Sequence, residues 1–95
     1  MVRVRRLVLD LLKPHDPDIV AFAAAASEHD GVAGANVVLV EIDRDVQNVK
    51  MTLEGDSIPV AVVRETVEDL GGTIHSIDEV ICGEALVEES ETPQD

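Results

Sequence analysis

The order of the apolar segments along the chain is the feature that most constrains its fold. Runs of β-branched and Leu residues predict strands at residues 2–13, 35–43, 46–55 and 71–87. An Ala-rich run predicts a first helix at 19–29, and an amphipathic run after Pro59 predicts a second. The order is β-α-β-β-α-β. Because crossover connections are right-handed, it predicts an α+β ferredoxin-like βαββαβ sandwich, a four-stranded antiparallel sheet with two helices on one face.

Short polar segments set the expected helix ends. Asp16 is expected to cap the first helix, with Pro17 at its first position, and Gly31 lies just past its end. Asp56 or Ser57 is expected to open the second helix. These signals agree with the helices that periodicity predicts.

The length of the chain, 95 residues, fits one domain with one modest core. We expect residues 1–88 to form a single ferredoxin-like domain and residues 89–95 to form a short acidic tail. The first strand is apolar on both faces, which predicts a central position. No predicted element covers the second face of the sheet. We therefore expect exposed apolar residues there and self-association to bury them; the residues are Val8, Leu12, Ile77 and Ile81.

The charge of the chain excludes several classes of partner. Twenty acidic residues against seven basic ones give a formal net charge of -13. A field of this sign repels phosphate backbones and anionic membranes, so neither nucleic acid nor a membrane is an expected partner. Acid-rich, Lys-poor surfaces suit concentrated salt, and we interpret the chain as a cytoplasmic protein of a salt-adapted, halophilic archaeon. A second cause of the acidity would be cation binding by excess carboxylates.

Nucleophilic and zinc chemistry find little support. Ser76 and His75 are adjacent in a predicted strand, so they point to opposite faces and cannot form a dyad. Cys82 has no Cys or His at zinc-site spacing and is expected to be a small buried residue. We therefore predict no catalytic residue, no bound organic cofactor and no enzymatic activity.

Carboxylates on the second strand are the first candidate ligands. Glu41 and Asp43 are two residues apart, so both are expected on one face, opposite Val38, Val40 and Ile42 on the helix-covered face. Hard cations such as Ca²⁺ take six to eight oxygen ligands, which carboxylates from different strands could supply. An ordinary solvated surface is the alternative interpretation.

Carboxylates on the other strands complete the candidate set. Asp10 interrupts the first strand, where a carboxylate needs a partner or a metal. Arg6 is too far along the extended chain to be that partner, and Lys50 is a candidate. Asp78 and Glu79 are adjacent, so they point apart unless a β-bulge intervenes.

Four stretches together resemble a known archaeal family. They are LDLLKPHDP at 9–17, VEID at 40–43, GGTIHSIDEV at 71–80 and the ending VEESETPQD. The chain resembles the family catalogued as domain of unknown function 211 (DUF211). The resemblance implies a ferredoxin-like subunit, ring-like homo-oligomers and a divalent-cation role, with calcium the leading candidate. It identifies no ligand.

Our sequence-based hypothesis is a non-enzymatic oligomeric module that binds divalent cations at or near subunit interfaces. The expected metal ligands are Asp10, Glu41, Asp43, Asp78 and Glu79. The alternative is a small-molecule-sensing regulatory domain similar to amino-acid-binding ferredoxin-like domains. Such domains are expected to carry a Gly-bearing loop between the first strand and the first helix, and the loop KPHDPD has no Gly.

Overall fold

Six elements follow one another in the predicted order. The structure is a computed structural model that describes residues 2–89. The elements are β1 (Val4–Lys13), α1 (Ile19–Ser27), β2 (Gly34–Ile42), β3 (Gln47–Glu54), α2 (Val60–Asp69) and β4 (Thr73–Cys82). The predicted ferredoxin-like βαββαβ fold is confirmed. Neither helix within residues 2–89 is long and apolar enough to cross a membrane.

The four strands form one antiparallel sheet in the order β2-β3-β1-β4. The central position predicted for β1 is therefore confirmed, and β2 and β4 are the edge strands. Both helices pack on one face, which we call the helix-covered face; the opposite face of the sheet is called the open face. An edge strand offers unpaired backbone groups, so β2 and β4 are the strands to which a second chain could add.

The core fills the space between the helices and the sheet. Alternate residues of the two central strands point towards the helices, which is the period expected of strands with one packed face. The helices contribute Phe22, Ala26, Val63 and Val67 to the same cluster. Burying each of the larger apolar side chains stabilises the fold by about 1.5–3 kcal/mol. The strand residues of the core are Leu7, Leu9, Leu11, Val49, Met51 and Leu53.

The helix starts differ from the sequence prediction. Asp18, and not Asp16, caps α1, because its Oδ1 accepts a hydrogen bond from the Ala21 N–H at 3.1 Å. Pro59 is the N-cap of α2, and no side chain of residues 2–89 hydrogen-bonds to cap that helix. The predicted caps were therefore wrong at both helices, although the helices themselves lie where periodicity places them.

Ser57 is used in a backbone contact instead of a cap. Its N–H donates to the Gly31 carbonyl at 3.2 Å, which joins the connections before β2 and before α2. Gly31 has a φ of +92°, and a Cβ there would lie 2.0 Å from the Ser57 carbonyl oxygen. Glycine is therefore needed at residue 31 both for conformation and for space.

The last strand is shorter than predicted. It ends at Cys82, whereas the sequence suggested a strand to about Val87. Gly83 has a φ of +100°, which takes the chain out of the extended conformation. Of the predicted tail, residues 90–95 lie outside the described residues.

Candidate functional site

A β-bulge decides which way the end of β2 faces. The register shifts between Leu39 and Glu41, so Val40 has no cross-strand partner. Val38 lies opposite Lys50 on the open face, and Val38, Val40 and Ile42 are all exposed. Val38 was therefore wrongly predicted to lie on the helix-covered face. Beyond the bulge, Ile42 pairs with Gln47, which lies opposite Lys13 on the helix-covered side, so the predicted side of Ile42 is confirmed although its side chain is exposed. The residue that pairs with Asn48 on the open face is Glu41.

Asp43 lies in the turn after β2. Its N–H donates to the Val46 carbonyl at 2.8 Å. Its own carbonyl accepts a hydrogen bond from His15 Nε2 at 2.9 Å, which ties the β1–α1 loop to the end of β2. The Asp43 side chain is exposed and lies near Glu41 in sequence, at the same end of the β2 edge.

Asp10 lies on the open face of β1, between Lys50 on β3 and Ser76 on β4. Its Oδ1 accepts a hydrogen bond from Asn48 Nδ2, which also donates to the Leu11 carbonyl at 3.2 Å. Within the described residues no ion pair joins Asp10 to Lys50. The predicted cationic partner was therefore wrong. The Asn48 amide supplies the hydrogen bond that this half-buried carboxylate needs.

A second bulge brings Asp78 and Glu79 together. The register between β1 and β4 shifts so that Asp78 has no partner, whereas Glu79 lies opposite Val8 on the open face. Ser76 donates its hydroxyl to Asp78 Oδ1 at 2.7 Å. Both carboxylates line one trough on the open face. The bulge was the condition under which the sequence allowed the two neighbours to act together.

Arg6 is the cation that holds this region. Its guanidinium lies 3.2 Å from Glu79, 3.4 Å from Glu88 and 3.6 Å from Glu54. The ion pairs of Arg6 among residues 2–89 join it to Glu54, Glu79 and Glu88. Sequence reasoning missed its role. The sequence signal that could have indicated it is the ratio of seven basic to twenty acidic residues, because each basic side chain then has several possible acidic partners.

The five predicted ligands fall into separate groups. Glu41 and Asp43 lie at the β2 edge, whereas Asp78 and Glu79 lie at the β4 edge. Three strand spacings, about 14 Å, separate these edges. Asp10 lies one strand in from β4. Within residues 2–89 no three His, Cys, Asp or Glu side chains are placed to hold one metal ion. Carboxylates of the two edges can meet only across two chains.

The open face is more covered than the sequence suggested. Val8 and Ile81 are each 4% exposed, so the prediction that they would be exposed was wrong. Leu12 is half-buried. Ile77 is exposed, but it lies opposite Leu9 and therefore on the other face, because the bulge at β4 reverses its parity.

The chain after β4 runs along this part of the open face. Residues 87–89 line the trough together with Val8 and Ile81. Cys82 is exposed, so its predicted burial was wrong as well. The full lining of the trough is Arg6, Val8, Lys50, Asp78, Glu79, Val80, Ile81, Val87, Glu88 and Glu89.

A buried lysine is the second feature that sequence reasoning missed. Lys13 is 1% exposed at the end of β1, on the same face as the core. Its ammonium donates to the Pro14 carbonyl at 2.7 Å and to Gln47 Oε1 at 2.9 Å. It also lies 5.3 Å from the centre of the Phe22 ring. These contacts join the β1–α1 loop, β3 and α1.

The environment of Lys13 changes its acidity. Burial lowers the pKa of its ammonium below the ordinary value of 10.5, and the negative charges of Asp18 and Asp16 oppose that shift. Because the ammonium is enclosed and engaged by two acceptors, its evident role is in holding the fold.

Comparison with known proteins agrees with the sequence resemblance. The model of the DUF211 family, described as Uncharacterized ArCR, matches residues 5–95. An uncharacterized protein of Methanocaldococcus jannaschii is 47% identical over 92 residues, which cover 97% of this chain and 95% of that relative. Neither description names an activity.

Proposed function

The chain belongs to the DUF211 family, and we propose that this archaeal protein is a non-enzymatic, self-associating module that binds divalent cations at or near subunit contacts. Calcium is the leading candidate. The observation that carries the proposal is the position of the predicted ligands at two unpaired sheet edges. Glu41 and Asp43 lie at one edge and Asp78 and Glu79 at the other.

Both edges also carry exposed apolar side chains. Val40 and Ile42 are exposed at the β2 edge, and Ile77 and Val80 at the β4 edge. Joining the β2 edge of one chain to the β4 edge of the next would bury these side chains and pair the free backbone groups. The two surfaces differ, so this contact is head-to-tail, and such contacts generate rings when the rotation closes.

Such a contact needs a counter-charge. It would bring four carboxylates together in a protein whose net charge is already -13. Calcium accepts six to eight oxygen ligands in flexible geometry, which suits carboxylates gathered from two chains. Asp10 lies beside Ser76, which binds Asp78, so it would add negative charge to the β4 side of the contact.

The acidic composition supports a proposal about where this module works. We propose a cytoplasmic protein of a salt-adapted organism, without a nucleic-acid or membrane partner. Concentrated salt screens the self-repulsion that such a charge creates, and the sign of the charge disfavours both polyanionic partners.

Calorimetric calcium titration in molar salt tests the proposal. The variant Asp78→Asn/Glu79→Gln keeps the shape of both side chains but removes two negative charges. A matched control, Glu68→Gln/Asp69→Asn, makes the same change at adjacent exposed residues of α2. We expect the first variant to bind calcium about tenfold more weakly or worse and to shift its oligomer distribution, whereas the control should match the wild type.

Two results would contradict the proposal. One is a wild type that binds no calcium at millimolar concentration. The other is equal calcium affinity in all three proteins. If the carboxylates are only a solvated surface, Asp78→Asn/Glu79→Gln should bind calcium with the affinity of the wild type and of the control.

A further inference from the structure

The segment after β4 returns across the sheet without forming a helix or a strand. Arg5 Nη1 donates to the Glu84 carbonyl at 2.7 Å and to the Gly83 carbonyl at 3.3 Å. Further along, Arg6 Nη1 lies 3.4 Å from both carboxylate oxygens of Glu88. We call residues 84–89 the strap. Two neighbouring arginines of β1 therefore bind the strap, Arg5 where it begins and Arg6 near residue 89.

The strap borders an apolar part of the open face. Val8 and Ile81 are each 4% exposed although neither α1 nor α2 lies on that face. The strap residue Val87 lines the same trough. Val87 itself is 69% exposed, so its side chain is not enclosed there. The strap is therefore held by few and largely exposed contacts.

We propose that the strap is detachable, that Arg6 fastens it through Glu88, and that Glu79 sets how firmly it is fastened. The Glu88 side chain is 67% exposed, and exposed ion pairs contribute little, so opening needs only a modest free energy. Opening exposes the Val8 and Ile81 surface, and closing covers it.

Glu79 affects the strap because it shares the Arg6 guanidinium with Glu88. Arg6 lies within ion-pair distance of Glu54, Glu79 and Glu88 at once. Its Nε lies 3.2 Å from Glu79 without a hydrogen bond among residues 2–89, whereas its Nη1 donates to Glu88, so the guanidinium is shared between carboxylates. Neutralising Glu79 removes the repulsion between the two carboxylates and frees the guanidinium to turn towards Glu88. Both effects tighten the strap.

A cation bound at Glu79 would act in the same direction as its neutralisation. This consequence rests on the proposed function, whereas the strap itself does not. Because linkage is reciprocal, closing the strap would in turn favour the cation.

Methyl NMR of the full chain tests the strap. In the closed state we expect cross-peaks from the Val87 methyls to those of Val8 or Ile81. The ratio of open to closed strap is obtained from the exchange-averaged Val87 methyl shifts. Glu88→Gln should raise this ratio about two- to fivefold, as expected for loss of an exposed ion pair. Glu79→Gln should lower it by a similar factor.

Glu89→Gln is the matched control, since it removes the same charge from the next strap residue, which has no ion pair among the described residues. It should match the wild type. Equal effects of Glu88→Gln and Glu89→Gln would overturn the role of Arg6, and a looser strap in Glu79→Gln would overturn the competition. Calcium should tighten the strap of the wild type but not of Glu79→Gln. If only this calcium effect is missing, the strap stands and cation binding at Glu79 is contradicted.

Discussion

Replacing the buried Lys13 by Ala or by Met separates the contribution of its hydrocarbon stem from that of its charge. Lys13→Ala removes three buried methylenes together with the ammonium, whereas Lys13→Met keeps a side chain of similar length. The side chain is 1% exposed and lies against the Phe22 ring, so water cannot fill the space that a shorter side chain would leave.

The surroundings of the side chain set the expected magnitude. Three buried methylenes at about 0.8 kcal/mol each give about 2.4 kcal/mol. The two hydrogen bonds of the ammonium and its contact with Phe22 add stability, while the desolvation of the charge offsets it. We expect Lys13→Ala to lower the free energy of unfolding by about 2–3 kcal/mol, or the melting temperature by about 10–20 °C. Lys13→Met should stay within about 1 kcal/mol of the wild type.

Urea unfolding at several pH values isolates the charge. The folded-state pKa of Lys13 is lowered from 10.5 by burial, so between that pKa and 10.5 the unfolded chain binds more protons than the folded chain. The stability of the wild type therefore rises with pH through this window, relative to Lys13→Met, and the difference is constant below it. Contributions that the wild type and Lys13→Met share cancel in this difference.

Two outcomes would refute this reasoning. A cost below about 1 kcal/mol for Lys13→Ala would mean that the side chain is not enclosed as described. A difference between wild type and Lys13→Met that stays constant up to pH 10.5 would mean that burial does not perturb the ammonium.

Three further predictions concern assembly, salt and the backbone. Light scattering in molar salt should report a particle larger than the 10.2 kDa chain, and a monomer at micromolar concentration would contradict the proposed edge contact. The melting temperature should fall when monovalent salt is lowered from molar to near zero. The Debye length then grows from about 3 Å towards 30 Å, so the net charge of -13 repels itself more strongly. An unchanged melting temperature would mean that the acidity has no role in salt adaptation. Gly31→Ala should lower the free energy of unfolding by about 2 kcal/mol or more in chemical denaturation. Residue 31 has a φ of +92°, and the added Cβ would lie 2.0 Å from the Ser57 carbonyl oxygen. Gly34→Ala, where a Cβ meets nothing within 4 Å, is the control and should be nearly neutral.

The sequence by itself determined the architecture. Strand and helix periods differ, so the hydrophobic pattern distinguished four strands from two helices, and the handedness of crossovers then allowed essentially one sheet order. The same reasoning placed β1 in the centre and the two carboxylate pairs on edge strands. Each of these inferences rests on the residue pattern within one strand or helix. Such a pattern can be recognised in a short stretch of sequence.

Only the tertiary structure decided which side chains meet. One unpaired residue at Val40 and another at Asp78 reverse strand parity, and bulges leave no reliable mark in composition. The choice of Asn48 rather than Lys50 as the partner of Asp10 depends on side-chain reach across the sheet. The burial of Lys13 and the return of the strap to Arg6 join residues far apart in the chain. Such contacts form because the folded backbone brings distant groups within a few ångströms, which no pattern of neighbours along the sequence specifies.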